Sequence, residues 1–477
     1  MNDEKKAEQT ETNQAKSERR RKFWLICGAL IVCAAVVCGA VIAGPMLKKR
    51  SGKTGQRGTF MGVEAVMASY PEPVAPDMSI QKYMEGNAHG EWWAGVRESV
   101  ERSRDLQAGM DGYYLSLMQK TLASQDDNTV CSPLNAYLAF SILAETTDGE
   151  SRQQILDMLG VSDMKALREN AAVLWESNYA DTPALKSILS NSVWLTDGVE
   201  YKDAALADIA RYYYASSFTG TPGSAEMDEA LRKWTDDSTG GLLSEYTKDL
   251  SLDDRTVLEI LSAVYYKAMW REEFFEEENT REIFHGMNGD SEAEMMHRTT
   301  FMSAYRTETF TALGLGLTDS GGMYFFLPEE GKDVNDLLAD PRILCATRFD
   351  EEDDNWFTPV VHLSVPKFSV SAKTDLTGVI EELGVTDVLD PEKADFSPLT
   401  ENVDELCLTK AEHAAIVEID EQGVTGAAYT ALGVEATGAV VPDGEIDFTL
   451  DRPFLFVVTG RDGAVLFAGV VRNLDRE

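Results

Sequence analysis

Few residues in this chain of 477 stand in a pattern that could carry out catalysis. The string Asp319-Ser320-Gly321-Gly322 would suit a nucleophilic serine, which attacks a carbonyl carbon while a histidine takes its proton and backbone amides bind the oxyanion. The surrounding sequence supplies neither partner, and a glycine turn before a strand explains the same four residues. The sequence therefore predicts that the protein is not an enzyme.

Ligand-binding motifs are equally scarce. The five histidines and six cysteines show no CxxC or Cys/His cluster with the spacing of a metal site. Gly52-Lys53-Thr54 ends like a phosphate-binding loop, but it lacks the glycine that such a loop carries five positions earlier. We expect no metal and no cofactor.

The segment best suited to a specific task is Glu421–Gly444. It joins two strand-like runs through small residues and β-forming Val, Thr and Tyr, and it carries almost no charge. Connections longer than about 12 to 15 residues are uncommon in compact domains and are usually functional or disordered. This composition suits a loop that is exposed in one state and forms a strand in another.

The elements that must position this loop change in type along the chain. A helical pattern covers roughly residues 92–123, and residues 134–143 form a second, buried helix that begins at Ser132-Pro133. Helices first and strands later predict an α+β domain. The later part contains short runs rich in β-branched and aromatic residues, at 188–195, 323–327, 362–370, 415–419, 454–459 and 465–471.

The start of the loop resembles the hinge of inhibitory serpins. Asp420-Glu421-Gln422-Gly423-Val424-Thr425-Gly426-Ala427-Ala428 has acidic residues, a glycine, a hydroxyl or small aliphatic residue and then alanines, in the order of that hinge. Further serpin-like motifs follow the family's order between about residues 105 and 474. They include Asn128–Pro133, Asn191–Leu195, Tyr266–Phe274, Pro366-Lys367-Phe368, Thr409–His413, Asp451–Phe456 and Leu466–Asn473.

This resemblance implies the serpin fold, with a helical N-terminal part, a large central mixed sheet and an exposed reactive-centre loop at residues 421–444. It also implies suicide trapping of a serine protease, which cleaves the loop and stays attached while the loop inserts into the sheet as a new strand. Alternation would place every second residue from Val424 to Thr430 inward, and these residues are small or β-branched. The implied hinge residues are Glu421, Gly423, Val424, Thr425, Gly426, Ala427 and Ala428.

The family's spacing from Glu421 predicts a scissile bond at Thr437-Gly438. Because the loop is longer than in many serpins, bonds at Val434, Glu435 or Ala436 stay open as alternatives. The small or aliphatic side chains there, without Lys, Arg or an aromatic residue, favour elastase-like or subtilisin-like proteases. A non-inhibitory serpin that acts as an extracellular binding protein is the alternative function, and the small hinge residues favour inhibition over it.

The resemblance also implies a polar cluster that controls opening of the central sheet. Ser262 stands where many serpins have an asparagine, and Asn135 stands where a serine is common. We interpret this as a rearranged cluster in which hydroxyl and amide have exchanged positions and the hydrogen bonds are kept. Its implied members are Ser132, Asn135, Asn191, Trp270 and His413.

Charge divides the chain into two parts. Residues 1–57 hold 12 Lys and Arg against 5 Asp and Glu, so they carry +7, and the remainder carries −45 for a total of −38. An acidic body repels phosphate backbones, which argues against nucleic-acid binding. The expected partner is the target serine protease in a covalent complex, and we expect a monomer.

The N-terminal part contains a candidate membrane anchor. The uncharged apolar run Phe23–Met46 is about 36 Å long as a helix, enough to cross a hydrocarbon core of about 30 Å. Basic residues before it predict a cytoplasmic tail at residues 1–22 and a serpin domain, residues 101–477, outside the cell. Residues 47–100 would form a spacer, extended up to about residue 85, and the start of the helical region.

These features together resemble a bacterial-type serpin with a single-pass membrane anchor. A cleaved signal peptide is the alternative for the apolar run, although the run is longer than the usual apolar region of about 7 to 15 residues. In that case the protein would be secreted.

Overall fold

The computed structural model describes residues 55–474, except 124–126, 242–247, 249, 254–255, 351, 401–405, 409 and 425–441. The described residues form ten α-helices, twenty β-strands and two short 3₁₀-helices, Glu276–Glu278 and Asp387–Leu389. The helices are α1 (Ile80–Glu85), α2 (Asn87–Leu122), α3 (Pro133–Thr146), α4 (Gly149–Leu159), α5 (Met164–Asn178), α6 (Asp203–Tyr212), α7 (Ala225–Ser238), α8 (Val334–Leu338), α9 (Arg342–Cys345) and α10 (Leu376–Glu382). The strands are β1 (Gln56–Phe60), β2 (Val63–Met67), β3 (Thr129–Cys131), β4 (Ala180–Asp181), β5 (Leu185–Thr196), β6 (Ala215–Gly220), β7 (Leu258–Met269), β8 (Thr280–Gly286), β9 (Gly289–Phe301), β10 (Ala304–Arg306), β11 (Phe310–Gly316), β12 (Gly322–Pro328), β13 (Trp356–Phe357), β14 (Val360–Pro366), β15 (Phe368–Asp375), β16 (Lys410–Ile419), β17 (Gly423–Val424), β18 (Glu445–Thr449), β19 (Phe454–Thr459) and β20 (Val465–Val471).

Three sheets organise these strands. The central sheet has the order β1-β2-β6-β5-β7-β17-β16-β15, with β4 paired to β5. It is mixed, because β5 runs parallel to β6 and β7 runs parallel to β16, while its other neighbours are antiparallel. The second sheet has the order β13-β10-β11-β12-β19-β20-β3, and the third has the order β18-β14-β9-β8. The predicted α+β class with a large mixed sheet is confirmed.

The helix α3 lies in the main core, against β7 of the central sheet and β20 of the second sheet. Ser132 caps it by accepting a hydrogen bond from the Asn135 amide, and Pro133 suits the first position because no helical partner is available to an amide there. All of its residues are buried. The buried helix predicted at residues 134–143 is confirmed and continues to Thr146.

The central sheet is covered on both faces. Along β16, residues alternate between buried and half-buried, and the buried set, which includes Ala415 and Val417, belongs to the main core. On the other face, Leu261 of β7 packs in a second cluster with Trp234 of α7. This period of two is the signature of a strand whose two faces meet different surroundings.

The strand-like run at residues 362–370 belongs to two strands in different sheets. β14 ends at Pro366 in the third sheet, and β15 begins at Phe368 in the central sheet. Lys367 lies at the junction. Residue types alone do not reveal this change of sheet, because both strands are built from the same β-forming residues.

Residues 55–85 differ from the extended spacer that their composition predicts. β1 and β2 form a hairpin whose two-residue turn, Met61-Gly62, has φ angles of 52° and 90°, as in a type I′ turn. β2 pairs with the edge strand β6 and so extends the central sheet. Val63 and Ala65 are buried in the second cluster, which also contains Phe218 of β6. The alternating apolar residues of β2 indicate a strand. The high glycine and proline content of the whole segment favoured a spacer instead.

The predicted membrane anchor Phe23–Met46 lies outside the described residues. Within residues 55–474, as far as they are described, no helix combines the length and the apolar character needed to cross a membrane.

The place of the hairpin in the sheet is tested by the substitution Ala65→Asp. Ala65 is 1% exposed, so an aspartate there buries a carboxylate without a partner, and we expect a loss of about 2 to 4 kcal/mol in the free energy of unfolding. Thermal unfolding followed by circular dichroism would measure it as a lower Tm. The neighbouring Glu64 has an exposed side chain, and Glu64→Gln should leave the Tm nearly unchanged. Equal Tm values for all three proteins would contradict the pairing of β2 with β6.

Candidate functional site

The candidate site lies where β7 and β16 separate. The two strands pair in parallel only between Lys410–His413 and Glu259–Ser262, although both continue beyond these residues. At their far ends β17 pairs with both of them. Neighbouring strands lie about 4.8 Å apart, so β7 and β16 are about 10 Å apart there and leave room for one strand. We call the space between residues 263–268 of β7 and 414–419 of β16 the slot.

The hinge enters the slot through a tight turn. The Asp420 carboxylate accepts hydrogen bonds from the amides of Gln422 (2.9 Å) and Gly423 (3.1 Å). The Asp420 amide donates to the Gly423 carbonyl (3.0 Å). An aspartate that bonds to amides two and three positions later is a typical turn former, and it directs the chain back into the sheet as β17.

Gly423 is required by a close approach of two backbones. A Cβ atom there would lie 2.2 Å from the carbonyl oxygen of Ala268 on β7, a distance that non-bonded atoms cannot reach. The sequence predicts a glycine that gives the hinge its freedom to turn, whereas the structure indicates a steric reason for it. The sheet also extends further into the loop than predicted, because Glu421 is 8% exposed and Val424 is 1% exposed.

The other predicted site residues of the loop lie within 425–441, outside the described residues. They are the hinge residues Thr425, Gly426, Ala427 and Ala428, and the reactive-bond candidates Val434, Glu435, Ala436, Thr437 and Gly438.

Trp270 holds the turn at the mouth of the slot. It follows β7 directly and is 2% exposed. Its indole Nε1 donates to the Asp420 carbonyl (2.9 Å), and its amide donates to the Gln422 carbonyl (3.0 Å). The amide of Phe274 adds a hydrogen bond to the Glu421 carbonyl (3.0 Å). These bonds fix the backbone from which β17 starts.

The structure separates Trp270 from the other predicted members of the polar cluster. Trp270 lies eight residues beyond Ser262 along the extended strand β7, which corresponds to about 26 Å. Ser262 itself joins the remaining four, because it pairs in register with Asn191 on one side and His413 on the other. We define the polar cluster as Ser132, Asn135, Asn191, Ser262 and His413.

Hydrogen bonds connect the polar cluster across three elements. The Ser132 amide donates to Nε2 of His413 (2.8 Å), and the Ser262 hydroxyl donates to the Asn135 carbonyl (3.3 Å). The Asn191 side-chain amide donates to Oδ1 of Asn135 (3.4 Å). The cluster therefore links the start of α3 to β5, β7 and β16 where the last two still pair.

The exchange of hydroxyl and amide keeps only part of the hydrogen bonding. Nδ2 of Asn135, Oδ1 of Asn191 and Nδ1 of His413 have no hydrogen-bond partner among the described residues. Burial lowers the pKa of His413 to about 4, so the ring is neutral at physiological pH. Buried polar atoms without partners cost free energy, so this junction is weaker than a fully bonded one.

Glu259 is a feature of the site that sequence reasoning missed. It is 0% exposed, and neither carboxylate oxygen has a hydrogen-bond partner among the described residues. It stands opposite Lys410 at the start of the β7–β16 pairing. Burial raises its pKa to about 7, with a further rise from Glu412 and opposing effects of Lys410 and Lys373. No sequence signal singled it out, because β7 also contains the charged residue Lys267.

A network of charged side chains ties the hinge to the third sheet. Nζ of Lys367 lies 2.5 Å from the Glu421 carboxylate and 2.8 Å from that of Glu294 on β9. The Asn279 side-chain amide donates to both carboxylates. Although partial burial raises it, hydrogen bonds from Lys367 and Asn279 leave the pKa of Glu421 below its usual value. The hinge carboxylate is thus ionised and held.

Ser320 does not have the contacts of a catalytic nucleophile. Its hydroxyl accepts a hydrogen bond from the Tyr266 hydroxyl (2.9 Å) and donates to the Thr459 carbonyl (3.4 Å). His89 lies 2.8 Å from Asp319, but in the described part of the chain its ring makes no hydrogen bond to Ser320. A nucleophilic serine needs a base within hydrogen-bond reach.

Glu259 makes stability depend on pH. Because its pKa is raised in the folded state, its contribution is complete below the unfolded-state pKa of about 4.5 and is lost as the pH rises through about 7. Glu259→Gln removes the titrating carboxyl group, so the variant does not lose stability from this group as the pH rises. By urea unfolding, E259Q should exceed the wild type by about 3 kcal/mol at pH 8 and by less than about 1 kcal/mol at pH 5. His413 is present in both proteins, so its titration cancels. A difference that does not vary with pH would contradict the raised pKa.

Removing Lys367 tests the network around the hinge. Lys367→Ala leaves the Glu421 carboxylate largely buried with Asn279 as its remaining donor, so we expect a loss of about 1 to 3 kcal/mol in the free energy of unfolding. Adding Glu421→Gln to that variant should recover part of the loss, since no buried charge remains. Lys393→Ala, at a side chain that is 59% exposed, is the control and should change stability by less than about 0.5 kcal/mol. Equal effects of K367A and K393A would show that the pair does not hold the hinge.

Comparison with known proteins agrees with this geometry. The model of the family described as "Serpin (serine protease inhibitor)" matches residues 110–474. Serpin-ZX of Arabidopsis thaliana is 29% identical over 397 residues, which cover 79% of this chain and 98% of that protein. The native structure of the thermophilic serpin tengpin superimposes with a TM-score of 0.68 at 22% identity, covering 77% of this chain and 93% of tengpin. The structure of human thyroxine-binding globulin with its ligand superimposes with a TM-score of 0.66 at 20% identity, covering 80% of this chain and all of that one.

The family match contains the hinge, the polar cluster and both strands that border the slot. The likeness to the solved structures establishes the fold. The bacterial type and the membrane anchor stay predictions. With a family model that matches well over half of its length, this chain belongs to the serpin family.

Proposed function

We propose that this protein is an inhibitory serpin that traps serine proteases by inserting its cleaved loop into the slot. The observation that carries the proposal is β17, in which Gly423 and Val424 already lie between β7 and β16 and pair with both. A strand that has begun between two separated neighbours can be lengthened by the residues that follow it. This pairing would define the register of the inserted strand.

The direction of Val424 supports insertion of the residues after it. Its side chain packs in the main hydrophobic core. In an extended strand, alternation directs Gly426, Ala428 and Thr430 to the same side. These residues are small or β-branched, so the core can accept them, whereas the bulky Tyr429 would point to the opposite face.

The trapping step is an interrupted acyl transfer. The protease serine attacks the carbonyl carbon of Thr437, the peptide bond to Gly438 breaks, and Gly438 leaves with a free amine while an ester joins the two proteins. Water would hydrolyse that ester in an ordinary substrate. Each new backbone hydrogen bond contributes about 0.5 to 1.5 kcal/mol, so inserting a strand of about ten residues supplies enough free energy to displace the attached protease first.

The remaining pairing between β7 and β16 also supports the proposal, because insertion must separate these two strands. Insertion requires β7 and β16 to part where Lys410–His413 pairs with Glu259–Ser262. This junction contains the incompletely bonded polar cluster and the buried carboxylate of Glu259. Both lower the cost of separating the strands, because the native pairing there is less favourable than a fully bonded, apolar one would be.

Target choice rests on the loop sequence. Val434–Gly438 offers small or aliphatic side chains and one carboxylate, so we propose elastase-like or subtilisin-like proteases as targets. Thr437-Gly438 is the proposed scissile bond, and Val434, Glu435 or Ala436 would shift it by one to three residues.

We further propose that Phe23–Met46 anchors the protein in a membrane, with residues 1–22 in the cytoplasm and the serpin domain outside. Two observations support this: the length of the apolar run and the basic residues just before it. The extracellular side is also where a protease inhibitor meets secreted proteases.

Incubation with proteases tests the proposed function. The full-length protein in mild detergent is mixed with an elastase-like, a trypsin-like and a subtilisin-like protease, and the products are separated on denaturing gels. We expect a covalent complex with the elastase-like or subtilisin-like protease, a mass that identifies the cleaved bond, and a higher Tm after cleavage. Cleavage without a complex and without a rise in Tm would contradict inhibition and favour the extracellular binding protein.

Two neighbouring hinge variants sharpen this test. Ala428→Glu would bury a carboxylate in the core on insertion, which costs several kcal/mol, so the variant should be cleaved without forming a complex. Ala427→Glu places the same charge on the opposite face, beside Tyr265 and Ile416, which are only half-buried, and should still trap the protease. Equal trapping by both variants would contradict insertion in this register.

A further inference from the structure

A large polar cavity lies beside the segment that follows Trp270, apart from the slot. Its volume is about 740 Å³, within the range of about 300 to 1,000 Å³ that is typical of small-molecule sites. The start of α2, β11 and the turn before β12 form its walls. We call it the arginine cavity because three arginines line it, Arg104, Arg271 and Arg461. The other main lining side chains are Asp319, Trp93 and Tyr324.

The charge of the arginine cavity opposes that of the body. Its lining holds three arginines and one aspartate, a net charge of +2 in a body that carries −45. In the one carboxylate, Asp319, Oδ1 accepts a hydrogen bond from Trp93 Nε1 (3.0 Å) and lies 2.8 Å from His89 Nε2, whereas Oδ2 has no hydrogen-bond partner among the described residues. The excess positive charge is therefore local and concentrated.

Arg461 is the buried cation of the cavity. It is 6% exposed, and its guanidinium lies over the ring of Trp92, 4.8 Å from the centroid. Nη2 donates to the Tyr179 carbonyl (3.3 Å), whereas Nη1 has no hydrogen-bond partner among the described residues. Burial lowers the pKa of Arg461 to about 10, against opposing effects of Asp462 and Asp319, so the side chain is charged at neutral pH.

The carboxylate next to Arg461 in sequence does not satisfy Nη1. One oxygen of Asp462 accepts hydrogen bonds from three other side chains, which are Ser103, Ser177 and Asn178. A buried guanidinium with an open N–H donor is costly unless an acceptor reaches it. That donor lies on a residue that lines the cavity, where a ligand could supply the acceptor.

The two other arginines are exposed and adaptable. Arg104 Nη2 donates to the Arg461 carbonyl (3.0 Å), and Arg271 Nε donates to the Leu317 carbonyl (3.2 Å). Each guanidinium has five N–H donors in a planar fork that suits phosphate and carboxylate oxygens. Both side chains can therefore turn toward an anion in the cavity.

We propose that the arginine cavity binds a phosphate monoester that carries an aromatic group. A dianionic phosphate balances the net charge of the lining, and the guanidinium groups supply charge-assisted hydrogen bonds to its oxygens. Trp93 and Tyr324 offer aromatic surface for the organic part. Gly314 and Gly316 on β11 let two of the lining side chains pack closely against that strand, because a Cβ atom would lie 2.5 Å from the Tyr324 ring at Gly314 and 2.9 Å from the Arg271 side chain at Gly316.

Part of the site lies outside the segment that the family model matches. The family match begins at residue 110, and Met84, Trp93 and Arg104 precede it. The cavity also adjoins the mouth of the slot, because the Thr318 amide donates to the carbonyl of Met269 (2.9 Å), the partner of Gly423. The proposal does not rest on inhibition, since binding is measured without a protease.

Isothermal titration calorimetry with phenyl phosphate tests the proposal on the full-length protein in mild detergent. We expect saturable binding at one site, weaker binding of inorganic phosphate and no binding of phenol. Arg104→Gln and Arg271→Gln should each weaken the binding of phenyl phosphate about tenfold or more. Arg102→Gln is the matched control, because Arg102 is an exposed arginine on the same helix and points about 160° away from Arg104.

Two results would overturn the proposal. One is the absence of saturable phenyl phosphate binding to the wild type under low-salt conditions, where charge interactions are least screened. The other is binding that R104Q and R271Q leave as strong as R102Q does, since the anion would then lie elsewhere. Circular dichroism spectra of the three variants should coincide, because all three side chains are exposed.

Discussion

The backbone hydrogen bonds of β7 and β16 are the constraint on which the rest of the structure depends. Buried amides and carbonyls need partners, and the two strands satisfy each other only between Lys410–His413 and Glu259–Ser262. Beyond that pairing they are one strand apart, and β17 pairs with both at the far end. A sheet arranged in this way gains hydrogen bonds if a further strand joins it, which is the physical basis of the trapping that we propose.

The two ends of the slot differ in how completely their polar groups are hydrogen-bonded. At the mouth, Trp270 and the Lys367–Glu421 pair fix the turn that starts β17. At the other end, the polar cluster and Glu259 leave buried polar atoms without partners where the strands meet. The hinge residues are therefore well bonded and the β7–β16 pairing is incompletely bonded, which suits the insertion of a longer strand that we propose.

The chain before the family match contributes to the fold. The β1–β2 hairpin extends the edge of the central sheet, and α2 carries Trp93 and Arg104 to the arginine cavity. The same segment thus touches the sheet at its edge and borders the region of Trp270. A strongly acidic body that concentrates three arginines in one cavity has local electrostatics very different from its net charge.

The sequence by itself determined the α+β class, the capped helix α3, the hinge motif and seven of the twenty strands in the described residues. Caps, alternation and turn residues act over a few neighbouring positions, so they can be read from the chain directly. The tertiary structure alone decided the change of sheet at Lys367, the pairing of the hairpin with β6, the burial of Glu259 and the separation of Trp270 from the polar cluster. Each of these depends on contacts between residues far apart in sequence, and the residue types near one position do not identify such distant partners.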